Sequence, residues 1–87
     1  MDEYKPNPKI TKKVMQQYEK IRQSGVTNMF DMFNVYRHST KKNFAELANL
    51  IAIDISNNNH KLYGELLNHF SFYMKKYKIE QPKHIEK

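Results

Sequence analysis

A chain of 87 residues with a net charge of +6 and 39% apolar content can build one domain around one modest core, and it buries a smaller share of its surface than an average domain does. The absence of cysteine excludes a disulfide framework, a thiolate metal site and a thiol nucleophile, and small secreted domains usually need such staples, which favours the cytoplasm. The longest apolar run, Leu50-Ile51-Ala52-Ile53, stops at Asp54, far short of the ~20 residues of a membrane span, and the first residues lack the basic and then apolar pattern of a secretion signal.

Helical periodicity dominates, with no sustained strand-type alternation. Residues 1–7 read as a flexible arm. Asn7 is placed to cap a first helix with Pro8 at its first position, where the missing N–H costs nothing. Ile10, Val14, Tyr18 and Ile21 then share one face, Lys9, Lys12, Lys13, Gln16, Gln17 and Lys20 form the wet face, and Gly25 closes the helix in the left-handed conformation that glycine adopts most cheaply.

A second, shorter helix begins at Thr27-Asn28, with Asp31 complementing its positive N-terminal end. Its apolar set is unusually broad. Met29, Phe30, Met32, Phe33, Val35 and Tyr36 cover well over half the circumference, so this helix is either central in the core or carries an apolar patch for a partner. His38 to Lys42 reads as a connector, and Asn43 with Glu46 forms a variant of the capping box that opens a third helix.

Phe44, Leu47, Ala48, Ile51 and Ile55 make the apolar stripe of that third helix, and Asn57-Asn58-Asn59 breaks it. A fourth helix carries Tyr63, Leu66, Leu67, Phe70, Tyr73, Met74 and Tyr77 at threes and fours, with Gly64 as a small local cost. The expected fold is all-α, a compact small bundle of about four helices spanning residues 8–78, followed by a flexible tail over residues 79–87. A core this modest is also compatible with a homo-oligomer.

The string Ile-Arg-Gln-Ser-Gly-Val-Thr-Asn-Met-Phe-Asp-Met-Phe-Asn-Val-Tyr at residues 21–36 resembles the signature of a small family of domains of unknown function found in phages and prophages of low-GC bacteria. Members of that family carry an Ile-Arg-x-(Ser/Thr)-Gly-x-Thr-Asn-Met-Phe-Asp core, and Phe44-Ala45-Glu46-Leu47 is similar to the family's step into its next helix. The likeness runs over roughly residues 10–70 and is most specific at Thr27 to Asp31. It implies phage origin and a small helical domain. It carries no activity with it.

Two functional expectations follow. The first is a non-catalytic module that docks on an unidentified protein of the bacterial host or its defences through Met29, Phe30, Met32, Phe33 and Tyr36, the excess apolar circumference of the second helix. Within the same stretch, Met29 and Phe30 have an ordinary alternative as plugs of the core. Arg22 divides in the same way between a partner's acidic group and an ion pair with Asp31 across the Gly25 turn.

The second expectation is a nucleic-acid-associated protein using Lys9, Lys12, Lys13, Arg37, Lys41 and Lys42 on phosphate with little sequence preference. Against it, all the basic residues but Arg22 and Arg37 are lysine in a chain also rich in Asn, Ile and Tyr, a mixture typical of AT-rich coding. A helix-turn-helix reading of the second and third helices is disfavoured, since the would-be recognition helix shows Glu46, Asn49 and Asp54 on its polar side and no Arg or Lys for guanine edges. A third reading lays the basic first helix on an anionic membrane, but Tyr18 and Ile21 sit at core positions.

No catalytic residue, cofactor or metal site is expected. Gly25 and Gly64, the two glycines, make no phosphate-cradling loop. Of His38, His60, His69 and His84, no two stand three or four apart, and only Glu65 and His69 share a helix face.

Overall fold

The computed structural model describes residues 3–79 and contains five helices and no strand among them. α1 spans Lys12–Ser24, α2 Met32–Lys41, α3 Ala45–Ser56, α4 Lys61–Asn68 and α5 Phe70–Lys76. α3 packs against α1, α2 and α4, while α5 closes back on α1. The all-α bundle stands, with the expected fourth helix divided in two. None of the helices among the described residues is long and apolar enough to cross a membrane.

α1 starts later than its sequence suggests. Asn7 spends its side chain on the Lys9 amide at 2.9 Å and on Glu65 at 3.0 Å, and its carbonyl accepts from Ile10, so residues 7–10 form a turn. Thr11 is the cap instead, its hydroxyl accepting from the Val14 amide at 3.2 Å. Ile10, Val14, Tyr18 and Ile21 are all buried, as their spacing requires, and Met15 joins them. Gly25 ends the helix at φ 67°, donating its amide to the Arg22 carbonyl.

α2 is displaced toward the C-terminus by several residues. Thr27 to Phe30 form a loop, and Asp31 is the cap rather than a first-turn acid: one oxygen accepts from the Asn34 amide at 3.3 Å and the other from its side chain at 2.7 Å. The helix continues through His38, Ser39 and Thr40, where a connector was expected. Inside the helix the Ser39 and Thr40 hydroxyls each donate to a carbonyl one turn back, Ser39 to Val35 at 2.7 Å and Thr40 to Arg37 at 2.8 Å.

The expected Asn43 and Glu46 capping box is absent. Asn43 adopts φ 61° and ends α2, donating its amide to Thr40. The open end of α3 is satisfied from another helix: Gln17 of α1 accepts from the Leu47 amide at 2.9 Å and donates to Glu46 at 2.6 Å. α3 then ends at the asparagine run, with Asn58 at φ 57°.

Tyr63 through Tyr77 do not form one helix. The chain kinks at His69, with φ −120° and ψ 29°, although its amide still bonds Glu65 and its carbonyl still accepts from Tyr73. The apolar positions keep their spacing across this one-residue break. Tyr63, Leu66, Tyr73 and Met74 therefore reach the same core as Leu47, Leu50 and Ile51 of α3.

Candidate functional site

Side chains around the start of α2 divide sharply between core and solvent. Met32 and Val35 point inward, Met32 only 4% exposed, with its sulfur 3.4 Å from His60 Nδ1. Met29 and Tyr36 are half-buried against the core, and the Met29 carbonyl accepts from the Tyr63 hydroxyl at 2.5 Å. Phe30 and Phe33 face outward, 79% and 57% exposed, and Val26 in the preceding loop is 46% exposed.

Of the five residues expected to meet a partner, only Phe30 and Phe33 stand open to one; Met32 is a core residue and is withdrawn from the surface. Val26 was missed, because an isolated valine after a glycine carries no periodic signal. Phe30 does not plug the core. Its amide is held by Asn28 Oδ1 at 2.9 Å, in the turn that leads into the Asp31 cap, and this places the ring outside the bundle.

Arg22 does not cross the Gly25 turn to Asp31. Its guanidinium forks onto Glu19, Nε and Nη2 each donating at 2.8 Å, and lies over the Phe70 ring at 5.1 Å. That hydrogen-bonded pairing raises the Arg22 pKa. Gln23 adds a third bond to the same carboxylate at 2.8 Å, so the buried Glu19 is fully engaged within its own helix.

The six basic residues expected on phosphate do not all line one groove. Lys13 and Lys42 come together at a groove of about 570 Å³ between α1 and the α2–α3 connection, where Lys20 joins them. Lys9 lines a separate hollow with Glu46 and Ile53. Arg37 donates to Asn34 on the exposed side of α2 at 3.2 Å, and Lys12 and Lys41 line neither hollow. Glu46 has its pKa held below the usual value, first by the hydrogen bond from Gln17 and further by the charge of Lys13.

A third cluster ties Tyr4 and Asn7, in the arm expected to be loose, onto α4 and α5. The Tyr4 hydroxyl donates to the Glu65 carboxylate and meets the Tyr73 hydroxyl, and its ring stacks on His69 with centroids 3.8 Å apart. Burial first, and then these hydrogen bonds, push the Tyr4 phenol well above its ordinary pKa. The Asn7 amide donates to Tyr73 at 2.8 Å. Glu65 and His69, the one carboxylate and imidazole pair on a shared face, are thus occupied by the arm. Among the described residues no three His, Asp or Glu side chains gather as metal ligands. His84 and most of the expected tail lie outside the described residues.

Comparison with known proteins gives one family. Residues 10–65, more than half of the chain, match the domain of unknown function DUF5049. No curated protein and no solved structure matches. The matched span contains the exposed Phe30 and Phe33, the groove lysines and the Thr27 to Asp31 stretch, while Tyr4, Asn7 and Tyr73 of the arm cluster lie outside it. The chain belongs to the DUF5049 family.

Proposed function

We propose that this chain is a non-catalytic, phage-encoded binding module that docks on a protein of the bacterial host or its defences through Phe30 and Phe33, with Val26 at the margin. The exposure of Phe30 carries the reading. A phenylalanine left 79% in water forgoes about 1.5–3 kcal/mol that its burial contributes. Phe30 sits in the turn just before the Asp31 cap, three residues ahead of the exposed Phe33, and α2 itself gives Met32 and Val35 to the core. Aromatic anchors at the centre of a patch supply much of the energy of protein interfaces, and placement on a capped helix start keeps the ordering cost low.

The experiment is capture from lysate of a low-GC bacterial host, after nuclease treatment, with the wild-type chain and with the Phe30→Ser/Phe33→Ser double variant. Both side chains are exposed, so the variant should keep its helical circular dichroism while losing the captured protein. Equal capture by the two chains would overturn the assignment of this face.

A further inference from the structure

We propose that the groove between α1 and the α2–α3 connection binds a phosphate-bearing ligand with a planar apolar part, a nucleotide. This site is independent of the apolar docking face. Its volume of about 570 Å³ falls within the roughly 300–1,000 Å³ of small-molecule sites.

Three cations from two segments of the chain line it. Lys13 and Lys20 stand two turns apart on one face of α1, and Lys42 enters from the connection. The left-handed Asn43 makes the sharp turn that sets Lys42 and Phe44 on the same groove.

The charge balance there favours an anion. Among the described residues Glu19 is the one carboxylate in the lining, and it is consumed by the Arg22 fork and by Gln23. The Arg22–Glu19 pair is the one ion pair among the described residues, so Lys13, Lys20 and Lys42 have no carboxylate within salt-bridge distance there. Glu46 lies close enough for Lys13 to lower its pKa, but its carboxylate is bonded to Gln17 and does not line the groove.

Lys42 also has a role that needs no ligand, because a cation at the C-cap of α2 complements the negative end of that helix. Lys20 has no such role. It sits in the middle of α1, on the groove side, and is the residue that separates a binding site from helix-end electrostatics. The half-buried Phe44 and Ile79 supply an apolar wall beside the three ammonium groups. Phosphate oxygens on lysine with a base against an aromatic ring is the pairing that nucleotides and single strands share.

The test is amide chemical-shift titration of the full chain with ATP, inorganic pyrophosphate and a short oligothymidylate, repeated on Lys20→Ala and Lys20→Ala/Lys42→Ala. The expected result is saturable shifts at Lys13, Lys20 and Lys42 to Phe44, with ATP tighter than pyrophosphate. Affinity should fall about tenfold in the double variant, as loss of charge-assisted phosphate contacts requires, with helicity unchanged. An oligothymidylate tighter than ATP assigns the groove to a strand, and the reverse order assigns it to a free nucleotide.

Shifts that are absent, or that persist undiminished without Lys20 and Lys42, would overturn the site. Pyrophosphate as tight as ATP would overturn the nucleotide assignment. Phe30→Ser/Phe33→Ser must bind ATP like the wild type, so failure of the docking face and failure of the groove are read separately.

Discussion

The Asp54 carboxylate joins α3 to α4 by accepting hydrogen bonds from backbone amides. It is 1% exposed, and its two oxygens accept from the amides of Leu62 at 3.0 Å and Tyr63 at 2.8 Å, the open first turn of α4. Removing an acceptor from buried amides costs the desolvation of those amides as well as the bonds. Asp54→Ala should therefore lower unfolding stability by about 2–4 kcal/mol, and Asp54→Asn, which keeps one acceptor, by less. Urea titration measures both, and an alanine variant as stable as wild type would remove Asp54 from this role. The sequence placed Asp54 on the wet side of its helix. Periodicity assigns a carboxylate to the face it usually occupies and has no access to amides eight and nine residues further on.

Helix ends give a paired prediction from the two glycines. Gly25 holds a left-handed conformation at φ 67°, with open space around the position of a Cβ. Gly25→Ala should thus destabilise through backbone strain alone, by roughly 1 kcal/mol. Gly64 is inside α4, also with open space, so Gly64→Ala should stabilise by about 1 kcal/mol. Thermal unfolding followed by circular dichroism should move the two midpoints in opposite directions, and a common direction would refute the helix boundaries. These ends were legible to different degrees. Gly25 and the asparagine run stop their helices through local backbone preference, whereas the start of α3 rests on Gln17, thirty positions away, and the kink at His69 leaves the apolar spacing intact.

Over the whole molecule, the arm acts as a clasp. Tyr4 and Asn7 reach across more than half the chain to Glu65, His69 and Tyr73, bringing the N-terminal residues against α4 and α5. The turn that leads into α1 is held at the same end by the Tyr77 hydroxyl, which donates to the Ile10 carbonyl at 2.7 Å. Deleting residues 1–6 removes the Tyr4 contacts and should lower stability by about 1–3 kcal/mol. In a domain this small that lowers Tm by roughly 4–8 °C per kcal/mol. Hydrogen exchange should quicken first in α5, which has fewer neighbours than α3. An unchanged Tm would show that the clasp contributes nothing to the fold.

The sequence by itself determined the all-α class, the inward stripe of Ile10, Val14, Tyr18 and Ile21, the apolar face of α3 and the stops at Gly25 and Asn57 to Asn59. Each of these follows from a period or a backbone preference confined to a few neighbouring residues. Only the tertiary structure decided which apolar residues near α2 reach solvent, because a set that covers most of a helix does not choose its own buried side. Met32 and Val35 are claimed by the core, and Phe30 and Phe33 are left over. The same holds for the groove: Lys20 is one more lysine on a wet face until the left-handed turn at Asn43 brings Lys42 and Phe44 opposite it. Contacts between distant segments leave no mark on local periodicity, and both the candidate interface and the candidate ligand site are made of such contacts.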